Sequence, residues 1–355
     1  MLTAGNAGQC AAGELQERRE KMKKWMMAAV AAVMLLGAMA ASGCGKGAEG
    51  AKADDNKVVI YSCLEDFRND YILDKLKEKF PDYDITLQFV ATGNLAAKIK
   101  SEGEATEGDI ILALQAVYME QLKDNFADLS SYDTSKYLDE LVMDHHKYLI
   151  WERFSGCIMT NPKILEEKGL TEPESFEELA DPKYKGLVSM PDPKTSSTGF
   201  IFYQMLVNDW GEDKALEYFD RLSENVLQFT TSGSGPVSAL TQGEAAIGLG
   251  ITYQPVQQIN DGVKMNIRFF EEGAPYDLDG YGMIRGKEEK KAVKDVFDYL
   301  YDTLIYEDKD LYSPEQIFKE QSNTIENYPK DIPYGDMTGA LDIKEKERLL
   351  GEWKY

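Results

Sequence analysis

Four short stretches place hydroxyls and glycine side by side: Tyr61-Ser62-Cys63, Thr92-Gly93-Asn94, Ser196-Ser197-Thr198-Gly199 and Thr231-Ser232-Gly233-Ser234-Gly235. Each reads as a strand-to-helix junction. A helix start offers unpaired N–H groups and the positive end of the helix dipole, so hydroxyls and glycine there can cradle an anion. In open α/β sheets ligands collect at the carboxyl ends of strands, where such loops lie. Any one stretch alone reads as an ordinary cap or turn. Four at equivalent places in two units can line one cleft. None matches the Walker pattern, and the glycines do not fit a dinucleotide fingerprint.

The elements that must position these loops follow from the pattern around them. Lys57 to Tyr61 is β-branched and apolar, a buried strand. Asp66 to Phe80 has helical spacing, with Tyr71, Leu73, Leu76 and Phe80 recurring, and Pro81-Asp82 ends it. Strands are expected over 85–90 and 109–114, with a short helix over 95–101 between them. A second unit of the same type begins after Trp151, with strands over 157–160, 186–190, 245–251 and 280–284. Its helices are expected over 175–180, 198–208, 214–222 and 292–304, the first opened by a capping box, Ser175 with Glu178. Alternation of this kind predicts an α/β fold with a mainly parallel sheet.

The amino-terminal region reads as an address. Lys21-Met22-Lys23-Lys24 precedes an uncharged apolar run from Trp25 to Ala41, the parts of a secretory signal, with Met22 the expected start. Ala41-Ser42-Gly43-Cys44 looks like the bacterial lipobox, which makes Cys44 the lipidated first residue of the exported chain. Residues 45–56 are small, polar and charged, as a flexible tether would be. Removing residues 1–44 takes away five of 39 basic and three of 62 acidic residues, leaving 34 against 59 and a net charge of −25. Such a charge repels phosphate backbones and argues against a nucleic-acid partner. Only Cys63 and Cys157 remain after the leader, and the sequence leaves their pairing open.

Beyond the lipobox, KVVIYS, EGDIILAL, FSGCIMTNPKIL, DPKYKGLVSMPDPKTSSTGF, TQGEAAIGLGITYQ, YGMIRGKEEKKAVKDVFDYL and the closing LLGEWKY occur in that order. Together they resemble the extracellular solute-binding proteins of bacterial ABC importers, in the group with ferric-iron, phosphonate, sugar-phosphate and thiamine binders. The resemblance implies a two-lobed, type II periplasmic-binding-protein-like α/β fold, with two crossing strands as hinge near 154–160 and 251–257. Lobe 1 would span 57–153 plus roughly 278–310, and lobe 2 would span 154–277 plus roughly 311–355. It implies a small-molecule solute, permease and ATPase subunits as partners, and a monomer. It also implies a place on the outer face of the cytoplasmic membrane, held by the lipid on Cys44, or in the periplasm.

Iron binders of this group use paired tyrosines after the GEAAIG-type strand, whereas Ile251-Thr252-Tyr253-Gln254 offers one. Glu65 and Asp66 stand after the first strand without a histidine, and the adjacent His145 and His146 read as a solvated polar face. No metal or cofactor is therefore expected. The positions matching the family's cleft supply neutral hydroxyls and amides: Ser62, Thr92, Gly93, Asn94, Ser196, Ser197, Thr198, Ser232, Gly233 and Ser234, with Lys194 beside one loop. This suits a phosphate, phosphonate or carboxylate head on a small organic solute. Tyr253 would stack on or bond the rest of it, or else pack between the lobes as a hinge tyrosine, and Gln115 would reach the cleft from the third strand. Ferric iron, a cationic solute such as thiamine or a polyamine, and a sensor lipoprotein without transport are the alternatives. Catalysis is not expected, since no serine sits in a G-x-S-x-G elbow and the chain lacks HExxH, CxxC and calcium-loop spacings.

Overall fold

A computed structural model describes residues 55–355. The expected leader, Cys44 and most of the tether lie outside those residues. Strand β1 (Lys57–Ser62) is buried from Val58 onward, as its β-branched and aromatic side chains require. Helix α1 (Asp66–Lys79) follows, with Arg68, Ile72 and Leu76 buried on one face at four-residue spacing. Then come β2 (Asp84–Phe89), α2 (Thr92–Glu102), β3 (Ile110–Gln115) and α3 (Ala116–Gln121). The twelve-residue β4 (Leu149–Thr160) leads to α4 (Pro162–Glu167) and α5 (Phe176–Leu179), where Ser175 Oγ accepts the Glu178 N–H at 3.0 Å. The chain continues through β5 (Val188–Pro191), α6 (Ser197–Trp210), α7 (Glu212–Ser223) and β6 (Val226–Thr230). After these come α8 (Gly235–Gln242), β7 (Ile247–Ile251), α9 (Tyr253–Asn260), β8 (Asn266–Arg268) and β9 (Tyr276–Met283). Helix α10 (Lys291–Tyr299) runs through a π turn at Leu300–Leu304 into α11 (Ile305–Leu311), and α12 (Ile343–Glu352) closes the chain.

Strand order is β2-β1-β3-β9-β4-β7-β5-β6, with β8 also on β4. Strands β1, β2 and β3 are parallel, as are β5, β6 and β7. Strand β4 belongs to both halves. Leu149 to Ser155 pair antiparallel with β9, and Gly156 to Thr160 pair antiparallel with β7. Two cores form on either side of that switch. Ile60, Leu112, Trp151, Tyr281 and Phe297 pack in the first, and Met190, Phe202, Phe219, Ile247 and Trp353 in the second. The fold is thus two α/β lobes of the periplasmic-binding-protein type, with β4 and β9 crossing between them.

The second crossing lies elsewhere than expected. Residues 251–257 hold the end of β7 and the first turns of α9, because Pro255 sits in a helical first turn, where its missing N–H costs nothing. The strand that lies beside β4 is β9, in register Ser155 to Tyr276. Ile317 and Phe318, far along the chain, pack into the first core. Cys63 and Cys157 are unpaired, and burial pushes both thiols up to about 12. No helix among the described residues is long and apolar enough to cross a membrane.

Candidate functional site

The second lobe brings two of the hydroxyl stretches together. Helix α6 begins with Ser196 as N-cap, and Thr198 in its first turn is buried. Its start is pressed onto the preceding turn. A Cβ on Gly199 would lie 2.3 Å from the Pro191 carbonyl oxygen and 2.8 Å from the Pro193 nitrogen, so only glycine lets the helix begin there. The loop before α8 reaches the same point: a Cβ on Gly233 would lie 2.4 Å from Thr198 Oγ1 and 3.6 Å from Ser196 Oγ. Ser232 Oγ and Ser234 Oγ are 3.2 Å apart, and Thr230 Oγ1 donates to the Ser232 carbonyl at 2.9 Å. The amino ends of α6 and α8 therefore meet with Ser196, Thr198, Ser232, Gly233 and Ser234 around them, while Ser197 is exposed on the rim. Two helix starts side by side offer more than one helix can: several orphan N–H donors and two positive dipole ends.

In the first lobe the candidates are less uniform. Ser62 is fully buried and its Oγ accepts the Leu64 N–H at 3.1 Å, so it shapes the turn after β1. Thr92, Gly93 and Asn94 open α2; Thr92 is half-buried, Gly93 and Asn94 are exposed, and nothing would touch a Cβ on Gly93 within 4 Å. Gln115 ends β3 just past a bulge, where Ala113 adopts a left-handed φ of 54°. Its amide is already engaged, donating to Asp277 and accepting Lys346 Nζ at 3.0 Å.

Two side-chain contacts tie the lobes together; Tyr253 between the lobes was one of the expected readings, but neither pairing was read from the sequence. Tyr253, at the start of α9, donates its phenol to Glu65, the N-cap residue of α1. Burial, and then the Glu65 charge, push that phenol well above the usual tyrosine range, so it stays protonated. Lys346 reaches from α12, whose Leu349 lies in the second core, to Gln115 in the first lobe. Its ammonium sits 5.0 Å from the Phe200 ring centroid and 5.2 Å from that of Tyr118. Burial pulls its pKa down, and Asp277 and Asp279 hold it up in part.

Behind the Glu65–Tyr253 bond lies a buried charge cluster. Arg68 donates to both oxygens of Asp308 (2.9 and 2.7 Å) and to Glu152 (3.2 and 2.7 Å), and its Nη1 reaches Glu65 at 3.2 Å. Lys309 Nζ adds a bond of 2.9 Å to Asp308. Burial pulls the guanidinium down, but Asp308, Glu152 and Glu65 more than offset it. The contact that spans the lobes is thus wired, through Glu65 and Arg68, to Glu152 on crossing strand β4. A signal for Arg68 was present: it shares the buried helix face of Ile72 and Leu76. Lys346 gave none, because its partner lies 231 residues away. Removing the phenol oxygen with Tyr253→Phe should weaken lobe closure by about 1.5 kcal/mol, the lower end for a hydrogen bond to a charged group. Small-angle scattering of the unliganded variant should show a larger radius of gyration, and an unchanged one would mean that this bond does not hold the lobes.

Other residues singled out in the sequence lie apart. Lys194 Nζ donates to the Trp353 carbonyl at 2.6 Å, tying down the carboxyl end of α12. Its ammonium is spent on the fold and not held free for an anion. His145 Nδ1 accepts the Lys147 N–H at 3.0 Å, so its Nε2–H faces Glu120 Oε2 at 2.9 Å in a half-buried pair rather than on the solvated face expected of it.

Residues 107–309 match the family described as bacterial extracellular solute-binding protein. An uncharacterized protein of Haemophilus influenzae is 27% identical over 216 residues, which is 58% of this chain and 62% of that protein. The chain thus spans about three fifths of the length of that curated relative. Among solved structures, the periplasmic binding protein P5PA superposes with a TM-score of 0.69 at 20% identity, covering 84% of this chain and 98% of that one. AfuA of Actinobacillus pleuropneumoniae, with exogenous fructose-6-phosphate bound, gives 0.68 at 20% identity over 84% and 97%. Apo ferric ion-binding protein A of Pasteurella haemolytica gives 0.68 at 16% over 83% and 96%. At these identities the structures speak for the fold, and the two-lobed architecture is theirs. The match over more than half its length places the chain in the family of bacterial extracellular solute-binding proteins.

Proposed function

We propose that the protein captures a small organic solute bearing a phosphate or phosphonate group between its lobes and delivers it to the permease of an ABC importer. The observation that carries the reading is the meeting of the α6 and α8 amino ends, where Gly233 lets one loop close against Thr198. That arrangement supplies hydroxyls, N–H donors and helix dipoles without a cationic side chain, which reconciles an anionic head group with an acidic chain. The binding of fructose-6-phosphate by AfuA, a protein of like fold, agrees with it. Ferric iron is disfavoured as cargo because Tyr253 is a single tyrosine at this place and its phenol is already engaged with Glu65. A cationic solute is the second reading. It is favoured by the carboxylates of Glu65, Glu152, Asp277 and Asp279 along the seam, although Arg68 and Lys346 already engage that cluster.

In this reading Cys44 carries a lipid that holds the protein at the outer face of the cytoplasmic membrane, and closure is driven by contacts the solute makes with both lobes. Thr198→Val and Ser232→Ala should each weaken binding of fructose 6-phosphate by about tenfold, the worth of one hydrogen bond. His145→Ala, at a residue whose imidazole is engaged with Glu120, should leave it unchanged. Isothermal titration of the three variants decides the matter. Equal losses in all three, or no binding by the wild type, would sink the assignment.

A further inference from the structure

A pocket of about 470 Å³ opens between the lobes next to Tyr253. Phe67, Leu311 and Tyr312 line it from the first lobe, and Tyr253, Val256 and Tyr328 from the other side. Its size is that of a small-ligand cavity and far below a macromolecular interface. Its wall is mixed: seven of its eleven described lining residues are apolar or aromatic, and Gln257, Gln258, Asn260 and Asp261 make up the rest, Asp261 being the sole charged one. Phe67 is 45% exposed and Leu311 is 48% exposed, so two of the six large hydrophobics left exposed among the described residues meet here. The Phe67 and Tyr312 rings stand edge to face at 5.3 Å, presenting a structured wall and not a loose patch. Phe67 lies two residues from Glu65, and Tyr253 bonds Glu65 directly, so the pocket shares its wall with the contact that joins the lobes.

We infer that this pocket receives a flat apolar or aromatic group of the solute, which makes the cargo an amphiphile with a polar head and a ring rather than a bare ion or an open-chain polyol. The inference rests on the solute-capture reading above. A group seated there touches both lobes and covers Phe67 and Leu311, so it favours the closed form over the open one. The shared wall with Tyr253 argues for solute over a second copy of the chain, since a partner seated there would have to enter the seam between the lobes.

Titration of the purified protein with phenyl phosphate, glycerol 3-phosphate and benzyltrimethylammonium tests this. The wild type should bind phenyl phosphate about tenfold more tightly than glycerol 3-phosphate, one buried aromatic contact being worth that much. Phe67→Ala and Leu311→Ala, both at exposed positions, should erase the preference, so that phenyl phosphate binds no more tightly than glycerol 3-phosphate. Thr198→Val should weaken both phosphates alike. Equal binding of the two phosphates by the wild type, or a preference that survives Phe67→Ala, overturns the inference and leaves the anion reading standing. Binding of benzyltrimethylammonium alone, lost in Phe67→Ala, upholds the pocket and overturns the anionic head group. Dimerisation in sedimentation that Phe67→Ala abolishes would assign the pocket to a second copy and overturn the inference, as would failure of both ring-bearing probes to bind.

Discussion

Replacing Arg68 by methionine should cost about 3–5 kcal/mol of folding stability, the penalty for leaving one side of a buried ion cluster without its partner. The guanidinium bonds Asp308 through Nε and Nη2 and Glu152 through Nη1 and Nη2, and all three side chains are almost wholly buried. Methionine keeps much of the volume and none of the donors. Lys309 would still hold Asp308 at 2.9 Å, but it lies 3.9 Å from Glu152, so Glu152 bears most of the loss. Urea unfolding at pH 7 should show a lowered midpoint with an unchanged slope. Adding Glu152→Gln and Asp308→Asn should recover part of the deficit, because the amides no longer need a counter-charge. A loss below about 1 kcal/mol in the single variant would mean that water reaches the cluster and that it behaves as a surface pair. The cluster also joins Glu65, the acceptor of Tyr253, to crossing strand β4, so the same variant should loosen the bond between the lobes.

The alternation of apolar runs and helical spacing made most of the lobe framework legible. Strand β1 and helices α1, α6 and α7 fall within two or three residues of where the pattern put them, because burial of one face fixed both the sequence and the structure. Strand β6 was not read: Val226 to Thr230 is an edge strand, half-exposed, without a strong period of two. Helix α8 hides behind glycine and Pro236, which read as loop and are instead a helix start. Helix α12 carries its own cap, with Asp342 Oδ1 accepting the Lys344 N–H at 2.9 Å, but its apolar face amounts to little more than Leu349 and one half-buried leucine.

The candidate site divides along the same line. Ser196, Thr198, Ser232 and Gly233 were legible because local chemistry, a hydroxyl or glycine at a helix start, marks them whatever the topology. Glu152, Asp277, Asp279 and Asp308 carry charge in a chain full of charge, and nothing local separates a buried carboxylate from a solvated one. Arg68 and Asp308 are 240 residues apart, Lys346 and Gln115 are 231 apart, and only the crossing of β4 and β9 brings such positions together. Pairings of that kind are set by the fold as a whole.

Asp279→Asn should remove one proton's worth of pH dependence from the stability of the protein. Asp279 lies on β9 opposite Glu152 on β4, half-buried. Burial, followed by the charges of Glu152 and Asp277, pushes its carboxyl well above the usual carboxylate range, with Arg68 opposing. Lys346 also faces it. A carboxyl whose pKa is raised on folding binds more proton in the native state than in the unfolded one. Its contribution is fully present below the unfolded value, near 4, and is lost as pH rises through the folded value. Inside that window the wild type should lose about 1.4 kcal/mol per pH unit from this group alone. Asparagine stays neutral and its amide still donates to Glu152, as the protonated acid does, so the variant keeps the acid-form packing at every pH. Asp277 and Glu315, also raised by burial, remain and leave a residual slope. Urea midpoints from pH 4 upward should therefore fall less steeply in the variant, with the two proteins close at pH 4 and diverging above it. Parallel lines would mean that Asp279 is already ionised at pH 4 and that Arg68 and Lys346, and not a proton, balance the carboxylates between the crossing strands.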